Sequence, residues 1–265
     1  MPMRRLLPVL FIVLSLIPAA AFAQTGADEG EPAPSIGLLG LIGFSPADFG
    51  LSAADSLPPA LQALRDAAAE EVALLASLPQ SRTPDGGFVL GDPDAPITII
   101  EFADWACPHC QDYHTTISAL IADQVAAGRA AFEFRILPTA GRDLTIVNGA
   151  LAVCLEAQVP GAFWSAYVYL YHLAQTRQYG EALTILPQLV GADADAALMC
   201  TNQAGLEQVR ADVNYARSVG VSGTPGVLVR YPGADAPQVI VFNGQRYANG
   251  GVPLDVLTAV IAAAQ

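Results

Sequence analysis

Two cysteines two residues apart, Cys107-Pro108-His109-Cys110, stand just behind an apolar, β-branched run at 97–102. No other stretch constrains the fold as much as this junction. Ile97, Ile99, Ile100 and Phe102 predict a strand apolar enough to be covered on both faces, and therefore central in its sheet. Asp92, Pro93 and Pro96 supply the turn before it. Beyond the pair, Tyr113, Ile117, Leu120, Ile121 and Val125 recur at helical spacing until Gly128, a C-cap candidate. Pro108 suits the first helical turn, where its missing N–H would lack a partner anyway. A buried strand must therefore run into a helix whose N-terminus carries Cys107.

A helix N-terminus holds unpaired N–H groups and roughly half a positive charge, and both favour a thiolate over a thiol. His109, protonated or donating a hydrogen bond, adds to this. A Cys107 thiolate is a good leaving group and stabilises the reduced pair, which makes the Cys107–Cys110 disulfide oxidising. Two blander readings compete with this redox pair. A zinc site would need further ligands, which no second Cys-x-x-Cys or His-x3-His provides, so no metal is expected. The alternative is a pair of inert structural cysteines. His114, on the same helix, reads as a solvated residue.

With 53% hydrophobic and 14% charged residues over 265 positions, the chain has enough material for a sizeable core. Arg4 and Arg5, an apolar stretch to Phe22 and the Ala21-Phe22-Ala23 site predict a signal peptide at 1–23, cleaved after Ala23. An uncleaved anchor is the other reading, but Pro8, Ser15 and Pro18 interrupt a stretch already short for spanning. Export puts all four cysteines in an oxidising compartment, the periplasm or extracytoplasmic envelope. A formal net charge of −13 argues against nucleic acid as a partner.

Residues 24–85 read as a flexible tether followed by an amphipathic helix at 56–77. Ser56 would cap this helix, and Leu57, Leu61, Leu64, Ala68, Val72 and Leu75 share one face. That face either packs on its own domain or mediates a homodimer. Thr83 to Gly87 ends the segment, and 88–90 is a short strand. Downstream, 131–137 alternates as a strand and completes a β-α-β unit. Helices follow at 143–157, 162–175, 181–190, 193–202 and 205–219, broken by Pro160-Gly161, Gly180 and Gly191. Strands at 226–230 and 238–242 form a hairpin, and a helix at 253–263 closes the chain. This order is that of an α/β thioredoxin fold at 86–265, with a helical insertion at about 139–220 before the final hairpin and a helical extension at its N-terminus.

The Glu101-Phe102-Ala-Asp-Trp-Ala run before Cys-Pro-His-Cys, Gly161-Ala-Phe-Trp164 in the helices, and Gly220-Val-Ser-Gly-Thr224-Pro225 before the hairpin resemble DsbA-like thiol:disulfide oxidoreductases in residues and order. The resemblance implies that Thr224-Pro225 is a cis-proline dipeptide lying against the cysteine pair and offering backbone groups to a bound peptide. It also implies that Glu101, six residues before Cys107, is a buried acid exchanging protons with Cys110. An acid inside an apolar strand should indeed hold its proton to a raised pH; pairing with an arginine is the alternative. Cys154 and Cys200 remain, and an even remainder in an exported protein suggests a structural disulfide, with buried free thiols as the alternative. Family members carry a second pair at such positions.

The implied reaction oxidises thiols of exported proteins, with reoxidation by a quinone-linked membrane partner of the DsbB or vitamin K epoxide reductase type and no bound cofactor. Thr224 also occurs before the proline in the isomerase branch, so a dimeric isomerase or reductase is the second reading. A non-catalytic envelope binding module is the third.

Overall fold

The structure, a computed structural model, describes residues 57–234 and 236–265. The signal peptide expected at 1–23, its cleavage after Ala23, the tether to residue 55 and the cap at Ser56 lie outside the described residues.

Seven strands form one sheet: β1 (Gln80–Arg82), β2 (Phe88–Leu90), β3 (Thr98–Ala103), β4 (Ala131–Ile136), β5 (Gly226–Arg230), β6 (Gln238–Phe242) and β7 (Gln245–Tyr247). Their order is β1-β2-β4-β3-β5-β6-β7, so β3 occupies the middle, as its double-sided apolarity predicts. It runs parallel to β4, with Thr98 opposite Ala131, and antiparallel to β5, with Glu101 opposite Val227. Side chains alternate across a strand. Ile99 and Ala103 therefore enter the larger core, Ile100 and Phe102 the smaller one, and Glu101 shares the face of Ile99 and Ala103.

The helices are α1 (Pro59–Ser77), α2 (Pro108–Leu120), α3 (Asp143–Gln158), α4 (Ala162–Gln175), α5 (Ala182–Val190), α6 (Ala194–Cys200), α7 (Leu206–Ser218) and α8 (Leu254–Ala262). A π-helical turn at Ile121–Val125 extends α2, and another at Thr201–Gly205 joins α6 to α7. Helix α4 is the apolar axis of the larger core, burying Phe163, Trp164, Tyr167, Leu170 and Tyr171. No helix among the described residues is long and apolar enough to cross a membrane.

The structure departs from the sequence expectations at four places. Helix α1 begins at Pro59 with Pro58 at its N-cap and no side-chain cap. It packs on α4 through buried Leu61, Ala68 and Leu75, the first of the two readings for its apolar face. Thr83 to Gly87 does not end a segment but turns β1 into β2, the Thr83 N–H donating to the Gly87 carbonyl at 2.9 Å. Strand β1 is exposed throughout, so its polar residues carry no alternation to read. Strand β7 was also missed, although Asn243-Gly244, both at positive φ, is a hairpin signal in the sequence.

On the β4 face away from α2, buried Arg135 binds Glu133 (2.6 Å), Asp85 (2.9 Å) and Asp212 (3.1 Å), and Arg230 binds the other Glu133 oxygen at 2.6 Å. The buried arginine of this sheet thus pairs with Glu133 and not with Glu101, which removes the ion-pair alternative for Glu101.

Candidate active site

Strand β3 ends at Ala103, and the chain turns through Asp104, Trp105 and Ala106 to bring Cys107 to the N-cap of α2, with Pro108 in the first turn. The Cys107 carbonyl accepts the N–H groups of Cys110 and Gln111, each at 3.0 Å, and the Cys107 N–H donates to the Asp104 carbonyl at 2.9 Å. Both cysteines are free thiols. Cys107 is 6% exposed and Cys110 fully buried, so an incoming sulfur has a path only to Cys107.

The Thr224-Pro225 peptide is cis. It brings the Thr224 carbonyl to 3.5 Å from the Cys107 sulfur, which donates to it. Beside the pair, His109, Tyr113, Thr224, Pro225 and Gly251 line an open groove of about 460 Å³. The Tyr113 hydroxyl donates to the Val252 carbonyl (2.8 Å) and accepts its N–H (3.1 Å), holding the segment before α8 against α2. At Gly251 a Cβ would stand 2.4 Å from the Tyr113 ring, so only glycine fits.

Glu101 is fully buried, and neither carboxyl oxygen has a hydrogen-bond partner among the described residues. Burial without a counter-charge pushes its pKa up to about 8. Burial likewise pushes the Cys110 thiol far above its ordinary range, and the nearby Glu101 charge pushes it further. The two buried acids thus stand close enough for the charge of Glu101 to oppose ionisation of Cys110.

The sequence reading missed the group that holds the loops together. Buried Asp104 accepts the N–H groups of Ala106 (2.9 Å), Thr139 (2.7 Å) and Gly141 (2.9 Å) and the hydroxyl of Thr145 (2.5 Å). Its signal was an acid in an apolar run, the same signal that singled out Glu101. His114 also departs from expectation. It is not solvated but buried, because α1 and α4 close over that face of α2. Cys154 and Cys200 form a disulfide between α3 and α6 with Cα atoms 5.8 Å apart, outside the groove.

A dithiol at a helix start, facing a cis-proline on this sheet and flanked by a helical insertion, marks a DsbA-like thioredoxin fold. The profile of the family described as Thioredoxin matches residues 83–238, more than half of the chain, and the chain belongs to that family. Among solved structures, alpha-DsbA1 of Wolbachia pipientis is 21% identical with a TM-score of 0.55, covering 72% of this chain and 94% of that one. Oxidised BdbD of Bacillus subtilis is 18% identical with a TM-score of 0.53, covering 66% and 91%.

Among curated proteins, the probable disulfide bond formation protein D of Bacillus anthracis is 26% identical over 149 residues, 53% of this chain and 68% of that protein. The Na(+)/H(+) antiporter NhaA 3 of Salinispora tropica is 27% identical over 192 residues, 68% of this chain. This chain spans only 25% of that antiporter's length.

Proposed function

We propose that the chain is an exported thiol:disulfide oxidoreductase that works as an oxidase. The observation that carries this reading is the partly accessible Cys107 sulfur at the α2 N-terminus, 3.5 Å from the carbonyl that precedes Pro225, with Cys110 buried behind it. The curated relatives named for disulfide bond formation support the same class.

In the oxidised enzyme, a substrate thiolate attacks the Cys107 sulfur and breaks the Cys107–Cys110 bond, and the electron pair goes to Cys110, which takes up a proton. The substrate's second thiolate then attacks the sulfur bound to Cys107. A substrate disulfide forms and Cys107 leaves as a thiolate, stabilised by the helix terminus and by His109. The pair now holds two electrons, and a quinone-linked membrane partner of the DsbB or vitamin K epoxide reductase type accepts them. Thr224 and Pro225 present backbone groups to the substrate segment in the groove, and Glu101 takes and returns the Cys110 proton.

Thiol trapping of the full chain in its own compartment tests the direction. A mostly oxidised Cys107–Cys110 pair is expected; a mostly reduced pair would make the protein an isomerase or reductase. That second reading drew on a dimerisation face at 56–77, and the apolar residues of α1 lie against α4 of the same chain. If Cys107→Ser left disulfide formation in exported proteins unchanged, the binding-module reading would stand instead.

A further inference from the structure

The groove beside the dithiol carries a charge that the reaction above does not use. Helix α2 lays His109, Asp112, Tyr113 and Thr116 along it at spacings of three and four residues, so these four share one face of the helix. The opposite wall comes from Thr224-Pro225 and Gly250-Gly251. Asp112 is exposed, and among the described residues it is the only acidic side chain on the groove, which no arginine lines. Its carboxylate has no ion-pair partner among the described residues. A second groove of about 280 Å³, lined by residues 221–224 and 248–250, meets the first at His109, Thr224 and Gly250. It holds no Asp, Glu or Arg among the described residues. A segment that crosses Thr224 therefore meets an acidic groove on one side and an uncharged one on the other.

The walls decide what kind of side chain the carboxylate can hold. The Tyr113 hydroxyl is tied to Val252 by two hydrogen bonds and its ring lies against Gly251, so the ring is a fixed apolar surface one residue from Asp112. Pro225 adds apolar surface across the groove. A carboxylate among such walls suits a long aliphatic stem with a cationic head, the build of lysine and arginine. Geometry sets the position of that side chain in the substrate. From Cys107 to Asp112 the helix rises by roughly 7.5 Å. Two residues of extended peptide span about 6.6 Å and point their side chains the same way. The residue two places from the reacting cysteine thus comes opposite Asp112.

We propose that Asp112 is a specificity-determining residue that selects substrates carrying lysine or arginine two residues from the reacting cysteine. The proposal rests on the redox reading of Cys107 and Cys110 and names a substrate class for it. Asp112 acts on the seating of the segment and not on the exchange of sulfurs, in which the substrate thiolate still attacks Cys107 and the electron pair still goes to Cys110. The chain's formal charge of −13 attracts any cationic peptide, so position is the discriminating observation. Overall charge treats a lysine before the cysteine and a lysine after it alike. Asp112 lines only one of the two grooves, so its preference holds for one side of the cysteine alone.

The test uses the oxidised full chain and single-cysteine peptides with alanine, lysine or glutamate either two residues before the cysteine or two residues after it. Single-turnover reduction of Cys107–Cys110 by excess peptide, quenched with acid and read by thiol alkylation, gives one rate per peptide. Dividing that rate by the same peptide's rate with neutral hydroxyethyl disulfide removes the effect of the neighbouring charge on the peptide thiol. In the wild type at low salt, lysine should exceed glutamate at least about threefold on one side of the cysteine, an attraction set against a repulsion at an exposed pair. The preference should shrink at ~0.5 M salt. Asp112→Asn should lose it and Asp112→Lys should reverse it. Asp195→Asn removes the same charge at an exposed position outside the groove and should keep it. Each variant is judged by its own lysine-to-glutamate ratio, so a change in Cys107 reactivity common to all peptides does not register. Equal preferences on both sides of the cysteine, no preference at all, or a preference retained in Asp112→Asn overturns the proposal. A wild-type Cys107–Cys110 disulfide that none of the peptides reduces overturns the redox reading itself.

Discussion

The hydroxyls of Thr139 and Thr224 lie 2.6 Å apart, tying the loop after β4 to the residue before Pro225 across 85 positions. Thr139 also donates its hydroxyl proton to Asp104, at 3.3 Å, so Thr224 is the donor to Thr139. Asp104 stands three residues before Cys107. One buried carboxylate thus sets the spacing between the dithiol and the proline loop opposite it.

This arrangement predicts a graded response. Thr224→Val removes one hydrogen bond and should cost about 1 kcal/mol of stability. Asp104→Ala leaves three backbone N–H groups without an acceptor, and should cost at least about 3 kcal/mol. Chemical denaturation of both variants checks this. Equal losses would mean that Asp104 is not the organising acceptor.

Cys107 and Cys110 differ in access, and their variants should differ in what they trap. Cys110→Ser should accumulate mixed disulfides with exported proteins, because nothing resolves the bond at Cys107. Cys107→Ser should trap none. Non-reducing gels of envelope extracts, with and without reductant, read the outcome; trapping by Cys107→Ser alone would reverse the two roles.

Glu101 makes stability depend on pH. Its folded pKa of about 8 lies above the ordinary 4.5, so the folded state favours the protonated acid. The contribution of the neutral carboxyl is complete below about pH 4.5 and is lost as pH rises to about 8, at roughly 1.4 kcal/mol per pH unit. Glu101→Gln does not titrate. Its Tm relative to wild type should therefore climb across that window and level off above it. A difference that stays constant with pH contradicts an unpaired, buried Glu101.

The Cys154–Cys200 disulfide closes a separation of 46 positions, for which the loop-closure relation gives on the order of 4 kcal/mol. Replacing both cysteines with alanine should lower the Tm while the rate of thiol oxidation at Cys107 stays near wild type. Mild dithiothreitol should reduce Cys107–Cys110 first in the oxidised protein. Peptide mapping under non-reducing conditions follows both pairs, and a Cys154 or Cys200 crosslink to Cys107 would contradict the separation of roles.

What the sequence determined on its own is local. The apolar run that makes β3 central, the proline that opens α2 and the cysteine placed before it depend on propensities and periodicities within a turn or two of each residue. The hairpin at Asn243-Gly244 belongs to the same class and was legible, though missed. Tertiary structure decided which polar residues became buried and which partners met. Periodicity assigns His114 to α2 but cannot say that Glu71, 43 positions earlier, will cover it. Asp104 looks like any acid beside a strand until the loop 35 to 41 positions downstream folds onto it. Parity suggested that Cys154 and Cys200 would pair, but only the packing of α6 on α3 brought their Cα atoms to 5.8 Å. The physical reason is common to all three. A contact between distant segments forms only when chain closure and desolvation are offset by the rest of the core, and a short window of sequence contains neither cost nor gain.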